Sequence, residues 1–294
     1  MDKKRDRIKI SSGDGLQDKV IHMLYKTSFG RKVVKILINP IVSRAAGVFM
    51  DSSLSCFMIK PFIKRNNINM SEYKKASYGS YNEFFTRQIK KGRRNFDMDN
   101  DSVCSPCDGK LTVYKIDDNS HFNIKGTEYT MKSLTRSSKA ADYYKGGYVL
   151  IFRLCVDDYH RYAFIDSGRM GKNYRIDGVF HTVNPIAGEE YPIYKENTRE
   201  VSVLDSDNFG KVLMMEVGAM MVGRIRNYNS CCDVRRGQEK GRFEFGGSTV
   251  VLAFSKDQIK IDEEILDNTS EGYETVVKMG EKIAVKNPAF TFLQ

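Results

Sequence analysis

The spacing of apolar residues divides the chain into a helical first third and a β-rich remainder. Apolar residues recur at helical spacing from Leu16 to about Ser53, and Pro40 is predicted to open a second helical segment. Residues 54–94 continue as short helices. Residues 1–15 show no periodic pattern, so this stretch is predicted to be loosely attached to the rest of the chain.

After residue 94, apolar runs alternate with Gly, Asp and Asn, a pattern typical of short antiparallel strands. Seven such runs lie at residues 110–116, 147–156, 178–182, 211–217, 220–226, 241–245 and 249–254. Helical windows near residues 130–144 and 261–269 interrupt them. We therefore predict an α+β fold, with a β-rich catalytic core over residues 95–294 and a helical, basic region over residues 1–94.

Charge is distributed unevenly along the 294 residues. Residues 1–94 hold 21 Lys and Arg against 7 Asp and Glu, whereas residues 95–294 hold 26 against 30. A basic arm on a near-neutral body suits a polyanion, either nucleic acid or an anionic lipid surface, although a solvated basic face would look the same. The longest apolar runs are about five residues, far short of the ~20 that a membrane-spanning helix needs.

The six cysteines indicate free thiols, because no secretory signal is visible at the start of the sequence. Cys104 and Cys107 have CxxC spacing, but a structural zinc site usually needs a second such pair or nearby histidines. We therefore predict that these cysteines and the adjacent pair Cys231 and Cys232 are small buried or half-buried residues, and that the protein holds no metal.

Four segments carry more polar chemistry than folding alone requires. They are residues 105–109 (SPCDG), 157–162 (DDYHRY), 180–185 (FHTVNP) and 245–252 (FGGSTVVL). Taken singly, each has an ordinary explanation: a turn, a structural histidine at a strand end, or a glycine-rich hairpin. In the fourth segment, Gly246 and Gly247 leave the carbonyl before Ser248 unshielded by a side chain.

Together with two more segments, these motifs resemble the phosphatidylserine decarboxylase family, pyruvoyl-dependent membrane enzymes, in their prokaryotic type II form. In chain order the matching segments are residues 84–87 (FFTR), 105–109 (SPCDG), 158–161 (DYHR), 183–185 (VNP), 217–223 (VGAMMVG) and 246–249 (GGST). Single motifs of this length are weak, but six in the same order are hard to obtain by chance.

The resemblance implies that the chain cuts itself between Gly247 and Ser248 and converts Ser248 into a covalent pyruvoyl group. An Asp–His–Ser triad makes this cut in the family, and its aspartate and serine map onto Asp108 and Ser248. The pyruvoyl group, without pyridoxal phosphate or a metal, would form a Schiff base with the amine of phosphatidylserine. Loss of carbon dioxide would then give phosphatidylethanolamine.

The histidine of the triad is where this sequence departs from the family pattern. Many members carry DYHRxH and use its second histidine as the base, but Ala163 occupies that position here. His160 and His181 are the remaining candidates, and we favour His181 as the replacement base. His160, with Arg161 beside it, would then protonate the carbanion or steer the substrate carboxylate.

The implied partners are phosphatidylserine and an anionic membrane surface, with no nucleic acid. The two cleaved fragments are expected to form a heterodimer, and a dimer of these heterodimers is left open. The expected location is peripheral, on the cytoplasmic side of the cell membrane. Two alternatives are a serine hydrolase, which would lack the usual G-x-S-x-G elbow, and a non-catalytic membrane-binding β-domain homologue.

Overall fold

Six stretches of the chain form a largely antiparallel β fold in a computed structural model. The described residues are 4–10, 40–125, 127–178, 197–218, 224–244 and 248–290, with side chains left out for residues 40–44. Every strand pair within them is antiparallel, and a few helices pack around the sheets. The predicted α+β class and the β-rich core are therefore confirmed.

Eighteen strands lie within the described residues. They are β1 (Arg7–Lys9), β2 (Ser102–Cys104), β3 (Gly109–Lys115), β4 (Phe122–Ile124), β5 (Thr127–Tyr129), β6 (Tyr148–Leu154), β7 (Arg161–Ala163), β8 (Gly168–Met170), β9 (Tyr174–Ile176), β10 (Arg199–Ser206), β11 (Gly210–Val217), β12 (Ile225–Asn227), β13 (Cys232–Val234), β14 (Glu239–Phe243), β15 (Ser248–Phe254), β16 (Ile259–Ile261), β17 (Tyr273–Val277) and β18 (Lys282–Lys286).

The largest sheet has ten strands, in the order β1-β17-β3-β6-β15-β11-β10-β8-β13, with β9 also paired to β10. Three smaller sheets have the orders β12-β14-β7, β16-β18-β2 and β4-β5. Strand β15 lies in the interior of the large sheet, paired along its whole length with β6 and along five residues with β11.

Strand β15 is buried on both of its faces, which explains why its sequence is a continuous apolar run. Alternate residues of a strand point to opposite faces. Accordingly, Val250, Leu252 and Phe254 enter one hydrophobic core, whereas Val251 and Ala253 enter a second core on the other face. The strand is thus held by two cores and two neighbouring strands.

The helical segments are short. They are α1 (Pro40–Asp51), a 3₁₀ helix (Ser53–Met58), α2 (Ile59–Arg65), a 3₁₀ helix (Met70–Glu72), α3 (Tyr81–Phe85), α4 (Met131–Thr135), α5 (Ser138–Tyr144) and α6 (Glu263–Ser270). The helical windows predicted near residues 130–144 and 261–269 are confirmed. Residues 11–39 lie outside the described residues, so the helical basic N-terminal region stays a prediction there.

No single helix in the described part of the chain is long and apolar enough to cross a membrane. Two consecutive helical stretches, Ala45–Asp51 and Ser53–Arg65, are long and apolar enough for a span only when taken together, and they meet at a bend of 75°.

The expectation that the first fifteen residues are loosely attached is wrong for residues 5–10. Strand β1 pairs with β17 at the edge of the large sheet. Arg5 forms ion pairs with Asp262 at 3.0 Å, Glu264 at 3.4 Å and Glu281 at 2.5 Å. A strand of three residues is too short to show an alternation of apolar and polar residues, so the sequence pattern did not reveal it. Its attachment depends on the pairing with β17 and on the distant carboxylates that bind Arg5.

The strand predicted at residues 178–182 lies outside the described residues except for Gly178, so it stays a prediction. The nearest described strand is β9, which ends at Ile176. The run at residues 220–226 is described only from residue 224, where β12 begins at Ile225. The remaining five predicted strands coincide with β3, β6, β11, β14 and β15.

A fully buried ion pair joins β11 of the large sheet to β14 of the β12-β14-β7 sheet. The Nζ atom of Lys240 lies 2.7 Å from both carboxylate oxygens of Glu216, and both side chains are completely inaccessible to solvent. Asn227 accepts from Lys240 at 3.0 Å and donates to Glu216 at 2.9 Å and Glu200 at 2.8 Å. The pair is thereby hydrogen-bonded as well as charge-balanced, which a buried pair requires.

We expect Lys240→Ala to destabilise the fold by about 3–5 kcal/mol, because it leaves the Glu216 carboxylate buried without a counter-charge. Urea denaturation measures this change. Lys211→Ala, the control, removes a half-exposed lysine paired with Asp205 and should cost less than about 0.5 kcal/mol. The combined Lys240→Met and Glu216→Leu variant should regain most of the loss. Equal stabilities of Lys240→Ala and Lys211→Ala would contradict this account.

Candidate active site

Ser248 and His160 are brought together by the pairing of β15 with β6. Ser248, the first residue of β15, lies opposite Leu154, the last residue of β6. The chain then turns through residues 155–160 and enters β7 at Arg161. His160 is therefore returned to the end of β6, directly beside Ser248.

The imidazole of His160 forms two hydrogen bonds, one at each nitrogen. Its Nε2 atom lies 2.9 Å from the carbonyl oxygen of Cys155, and its Nδ1 atom lies 2.8 Å from Ser248 Oγ. A carbonyl oxygen can only accept, so Nε2 carries the proton of the neutral ring. Nδ1 is left with a lone pair and accepts from the Ser248 hydroxyl, which is the arrangement of a general base and its nucleophile.

Burial keeps this histidine neutral. His160 has no exposed surface, and its ring stacks on Phe85 with a centroid distance of 4.0 Å. Loss of solvation, and secondarily the positive charge of Arg87, lower the pKa of His160 from 6.5 to about 3. The ring therefore holds its lone pair free for the serine proton throughout the physiological pH range.

The turn that carries His160 is fixed by buried charges. Asp158 accepts from Lys110 Nζ at 2.6 Å and from the Cys155 backbone N–H at 2.7 Å. The Nη2 atom of Arg87 donates to the carbonyl oxygens of Asp157 at 2.9 Å and Asp158 at 3.2 Å. These bonds determine where the Cys155 carbonyl points and hence which nitrogen of His160 is protonated.

Asp108 lies just before β3 and is bound by two cations. Arg94 donates to its two oxygens at 2.8 Å and 2.6 Å, the Met279 N–H donates at 2.9 Å, and Lys278 Nζ lies 3.6 Å away. Burial alone would raise the pKa of Asp108, but the hydrogen bond and charge of Arg94, with Lys278 and Met279, hold it below its usual value. Asp108 is therefore a buried carboxylate that stays ionised.

Among the sequence-predicted residues, the structure brings His160 to Ser248. No hydrogen bond or ion pair found among the described residues joins Asp108 to either of them. His181 and Gly247 lie outside the described residues, so their roles stay predictions.

The position of the missing family histidine lies beside the segment that contains Asp108. The N–H of Ala163 donates to the carbonyl oxygen of Pro106 at 2.9 Å, and Ala163 is almost completely buried. The backbone at the position of the family histidine is thus tied to the SPCDG segment. The proton of the His160 ring is fixed by a different group, the carbonyl oxygen of Cys155.

Three residues around the site were missed by the sequence analysis. Phe85 belongs to the FFTR segment, and that segment was the only signal for its stacking on His160. Arg94 lies within a basic run that gives no hint of its partner Asp108. Cys155 acts through its backbone carbonyl, which leaves no trace in the sequence.

One cluster of described residues has ligand atoms close enough for a metal ion, namely Cys155, Asp157 and Asp158, with all three atoms within 4.8 Å of one another. Protein cations already contact this cluster, because Lys110 binds Asp158 and the Nη1 atom of Arg153 lies 3.1 Å from Cys155 Sγ. All six cysteines are free thiols. Cys104 and Cys107 are buried and Cys232 is half-buried, as predicted, but Cys231 is exposed, so the prediction is wrong for that residue.

The site thus pairs a buried serine at the start of a rigid strand with a neutral, buried histidine, an arrangement typical of proteins that use a histidine-activated serine nucleophile. The family model described as phosphatidylserine decarboxylase matches residues 81–285. The chain therefore belongs to the phosphatidylserine decarboxylase family, which is a family of enzymes.

Curated relatives have the same family name. "Phosphatidylserine decarboxylase proenzyme 2" of Clostridium acetobutylicum is 47% identical over 91% of this chain and 92% of its own length. "Phosphatidylserine decarboxylase proenzyme" of Clostridium tetani is 42% identical over 92% of each chain. The protein of the same name in Clostridium perfringens is 42% identical over 91% of this chain and 93% of its own length.

We expect His160 to make the fold less stable as the pH falls. Its pKa is about 3 in the folded protein and 6.5 ordinarily, so between these values the unfolded chain binds a proton that the folded protein does not. The free energy of unfolding should fall from about pH 6.5 downwards, by up to about 1.4 kcal/mol per pH unit from this one group.

Urea denaturation between pH 7.5 and 4 measures this slope. His160→Gln should remove this part of the slope, and His121→Gln, the control at an exposed histidine, should keep it. If wild type and His160→Gln have parallel pH profiles, His160 is not held neutral by burial.

Proposed function

We propose that the protein decarboxylates phosphatidylserine to phosphatidylethanolamine, using a pyruvoyl group that it makes from Ser248 by cutting its own chain. The observation that carries this proposal is the 2.8 Å contact between Ser248 Oγ and the neutral ring of His160. The serine stands at the GGST segment, and the relatives are named proenzymes, which implies processing.

The cut follows from the chemistry of these residues. His160 Nδ1 takes the Ser248 hydroxyl proton while Oγ bonds to the carbonyl carbon of Gly247. The peptide C–N bond then breaks and the amine nitrogen takes a proton, so that the peptide has become an ester. Removal of the Ser248 α-proton then breaks the Cβ–Oγ bond and releases Gly247 as a carboxylate. The residue left behind takes up water and loses ammonia, so no oxidant or reductant is needed.

Ser248 fits the role of pyruvoyl precursor because it is buried and held at the start of a rigid strand. The pyruvoyl group supplies a sink for the electron pair released as carbon dioxide leaves. His160 remains within reach of the reacting position and can hold or deliver a proton at Nδ1. Burial around His160 and Phe85 excludes water that would compete for that proton.

The role of Asp108 is proposed on the family resemblance, whereas that of His181, which the family pattern lacks, is proposed on its position just ahead of the VNP segment. Asp108 is proposed as the carboxylate of the self-cleavage machinery, acting through the segment that it anchors to Arg94 and Met279. His160 replaces His181 as our proposed base for the cut, because His160 contacts the serine. His181 is then proposed to serve the decarboxylation step.

The two fragments are proposed to stay together as a heterodimer after the cut. The smaller fragment would begin with β15, which pairs with β6 and β11 of the larger fragment. Its strand β17 pairs with β3 and β1 in the same way. Separation would expose the apolar residues of both cores, so the hydrophobic effect opposes it.

Peripheral attachment to the cytoplasmic side of an anionic membrane is proposed for residues 1–94, with residues 95–294 as the catalytic core. Basic residues in the first part suit an anionic surface. Exposed apolar side chains in the same region also favour membrane attachment. Val48 on α1, and Leu54 and Phe57 on the following 3₁₀ helix, are each about 70% exposed. Apolar side chains beside basic ones are typical of interfacial attachment.

We expect Ser248→Ala to remain a single chain and to release no carbon dioxide from carboxyl-labelled phosphatidylserine. His160→Ala should slow the appearance of the two fragments by about 100-fold or more, since a general base contributes at least that much. Denaturing electrophoresis after synthesis follows the cut. His181→Ala should mature at the wild-type rate.

The opposite result, with His181→Ala uncut and His160→Ala matured normally, would assign the base to His181. Release of fatty acid by an uncut, active wild-type protein would instead favour a serine hydrolase and contradict the proposed function.

We expect Leu54→Asp combined with Phe57→Asp to weaken binding to vesicles that contain anionic lipid, measured by co-sedimentation. High salt should also release the wild-type protein, because each basic residue near the surface contributes about 1 kcal/mol. Met98→Asp, the control, places one such charge at another exposed apolar residue and should bind like wild type, whereas Leu54→Asp alone should already weaken binding. Protein that stays on membranes in both high salt and alkaline carbonate would contradict peripheral attachment.

A further inference from the structure

A charged cleft opens beside the Ser248–His160 pair. It has a volume of about 550 Å³, and Thr86 and Arg161 are among its lining residues. These two residues directly follow Phe85 and His160, which stack on each other. The guanidinium of Arg161 donates twice to the Thr86 carbonyl oxygen, at 2.9 Å and 2.7 Å. Neither Ser248 nor His160 lines the cleft, but the segments that carry Phe85 and His160 form part of its wall.

Positive charge dominates this cleft. Seven of the fifteen described residues that line it are Lys or Arg, and three are Asp or Glu. Arg87 and Arg161 are engaged with backbone carbonyls near the site, but the proposed self-cleavage chemistry uses none of the other five cations. A cleft with such a lining attracts an anion, and an anionic group of the substrate is the candidate because the cleft adjoins the segments that carry Phe85 and His160.

Three arginines of the cleft surround one carboxylate. Glu244 lies 3.2 Å from the Nε of Arg226, 3.5 Å from the Nη2 of Arg242 and 3.7 Å from the Nη1 of Arg224. Arg224 also lies 3.9 Å from Asp51, but two carboxylates still cannot accept from all the N–H donors of three guanidinium groups. Among the described residues, the buried Nε of Arg242 has no hydrogen-bond partner. Glu244 therefore holds the three arginines together while leaving donors for a further anion.

The place of these arginines in the fold connects the active site to the proposed membrane-facing surface. Arg242 on β14 lies opposite Arg161 on β7, and Glu244 directly precedes the segment that ends at the cleavage site. On the other side, Arg224 packs against α1: a Cβ atom at Gly47 would lie 3.1 Å from its Nη2. Val48, which follows Gly47, is one of the exposed apolar residues.

We propose that this cleft binds the phosphodiester of the substrate phospholipid, with Arg224, Arg226 and Arg242 as its donors. The inference rests on the proposed function, since the anion is taken to be part of the lipid. A guanidinium presents paired N–H donors that match the two free oxygens of a phosphodiester. The apolar residues of α1 and the adjoining 3₁₀ helix would lie towards the acyl chains, and the serine head group would point to Ser248.

The test measures binding of dihexanoyl phosphatidylglycerol below its micelle concentration by isothermal titration calorimetry. This probe has the phosphodiester but no amine, so it binds without reacting. The Arg224→Gln and Arg226→Gln double variant should bind at least about tenfold more weakly than wild type, since charged hydrogen bonds to the phosphate are lost. Both arginines are half-exposed, so the fold tolerates glutamine there.

The matched control is the Arg169→Gln and Lys211→Gln double variant. It removes two positive charges from exposed ion pairs with Asp233 and Asp205, near the ends of β8 and β11 that lie away from Ser248. This control should bind like wild type, and uncharged dihexanoylglycerol should bind to none of the proteins. Unchanged binding in the cleft variant, or no binding by wild type, would overturn the proposal.

Two further arms separate the possible sources of failure. Inorganic phosphate that binds as tightly as the lipid would show a free-phosphate site and would also overturn the proposal. In a decarboxylation assay with monomeric dihexanoyl phosphatidylserine, the cleft variant should mature normally but show a KM raised about tenfold or more. A wild-type protein that neither matures nor decarboxylates would contradict the proposed function. Even then, weaker phosphatidylglycerol binding by the cleft variant than by wild type would support the phosphodiester site.

Discussion

The site depends on one constraint: a histidine without contact to water must find both of its hydrogen-bond partners within the protein. His160 meets this constraint with the carbonyl oxygen of Cys155 on one side and the hydroxyl of Ser248 on the other. Because a carbonyl only accepts, the proton is placed on Nε2 and the lone pair on Nδ1. The backbone thus does what a carboxylate does in many serine–histidine pairs, namely fix the tautomer.

The remaining motifs can be understood as supports of that arrangement. The FFTR segment supplies Phe85, which stacks on the imidazole, and Arg87, which holds the carbonyls of Asp157 and Asp158. The Lys110–Asp158 pair fixes the N–H of Cys155. The contacts of Phe85 and Arg87 join segments 70 to 75 residues apart in the sequence, and the Lys110–Asp158 pair joins residues 48 apart. In the Lys110–Asp158 pair the opposite charges offset part of the cost of burying each other. The buried guanidinium of Arg87 is held instead by the two carbonyl oxygens and by the rings of Tyr73 and Phe84, and among the described residues its Nε has no hydrogen-bond partner.

Much of the fold could be predicted from the sequence because the central strands obey simple rules. Strands β3, β6, β11 and β15 are apolar runs bounded by turn residues, and burial on both faces keeps those runs continuous. Ser248 and His160 could be found because the family motifs contain them. Strand β1 escaped prediction because its pairing depends on β17 and on the distant partners of Arg5. The orienting carbonyl of Cys155 and the Arg94–Asp108 pair escaped it because a sequence shows neither backbone direction nor the partner of a charge.

Intact mass spectrometry of the purified wild-type protein tests the central claim most directly, namely that Ser248 becomes a reactive group at a new chain end. The account predicts two fragments, residues 1–247 and 248–294, with the smaller one lighter by one ammonia than a serine-terminated peptide. Reduction with borohydride should then add two hydrogens to the smaller fragment only. A single chain of full length, or a smaller fragment that still begins with serine, would contradict the account.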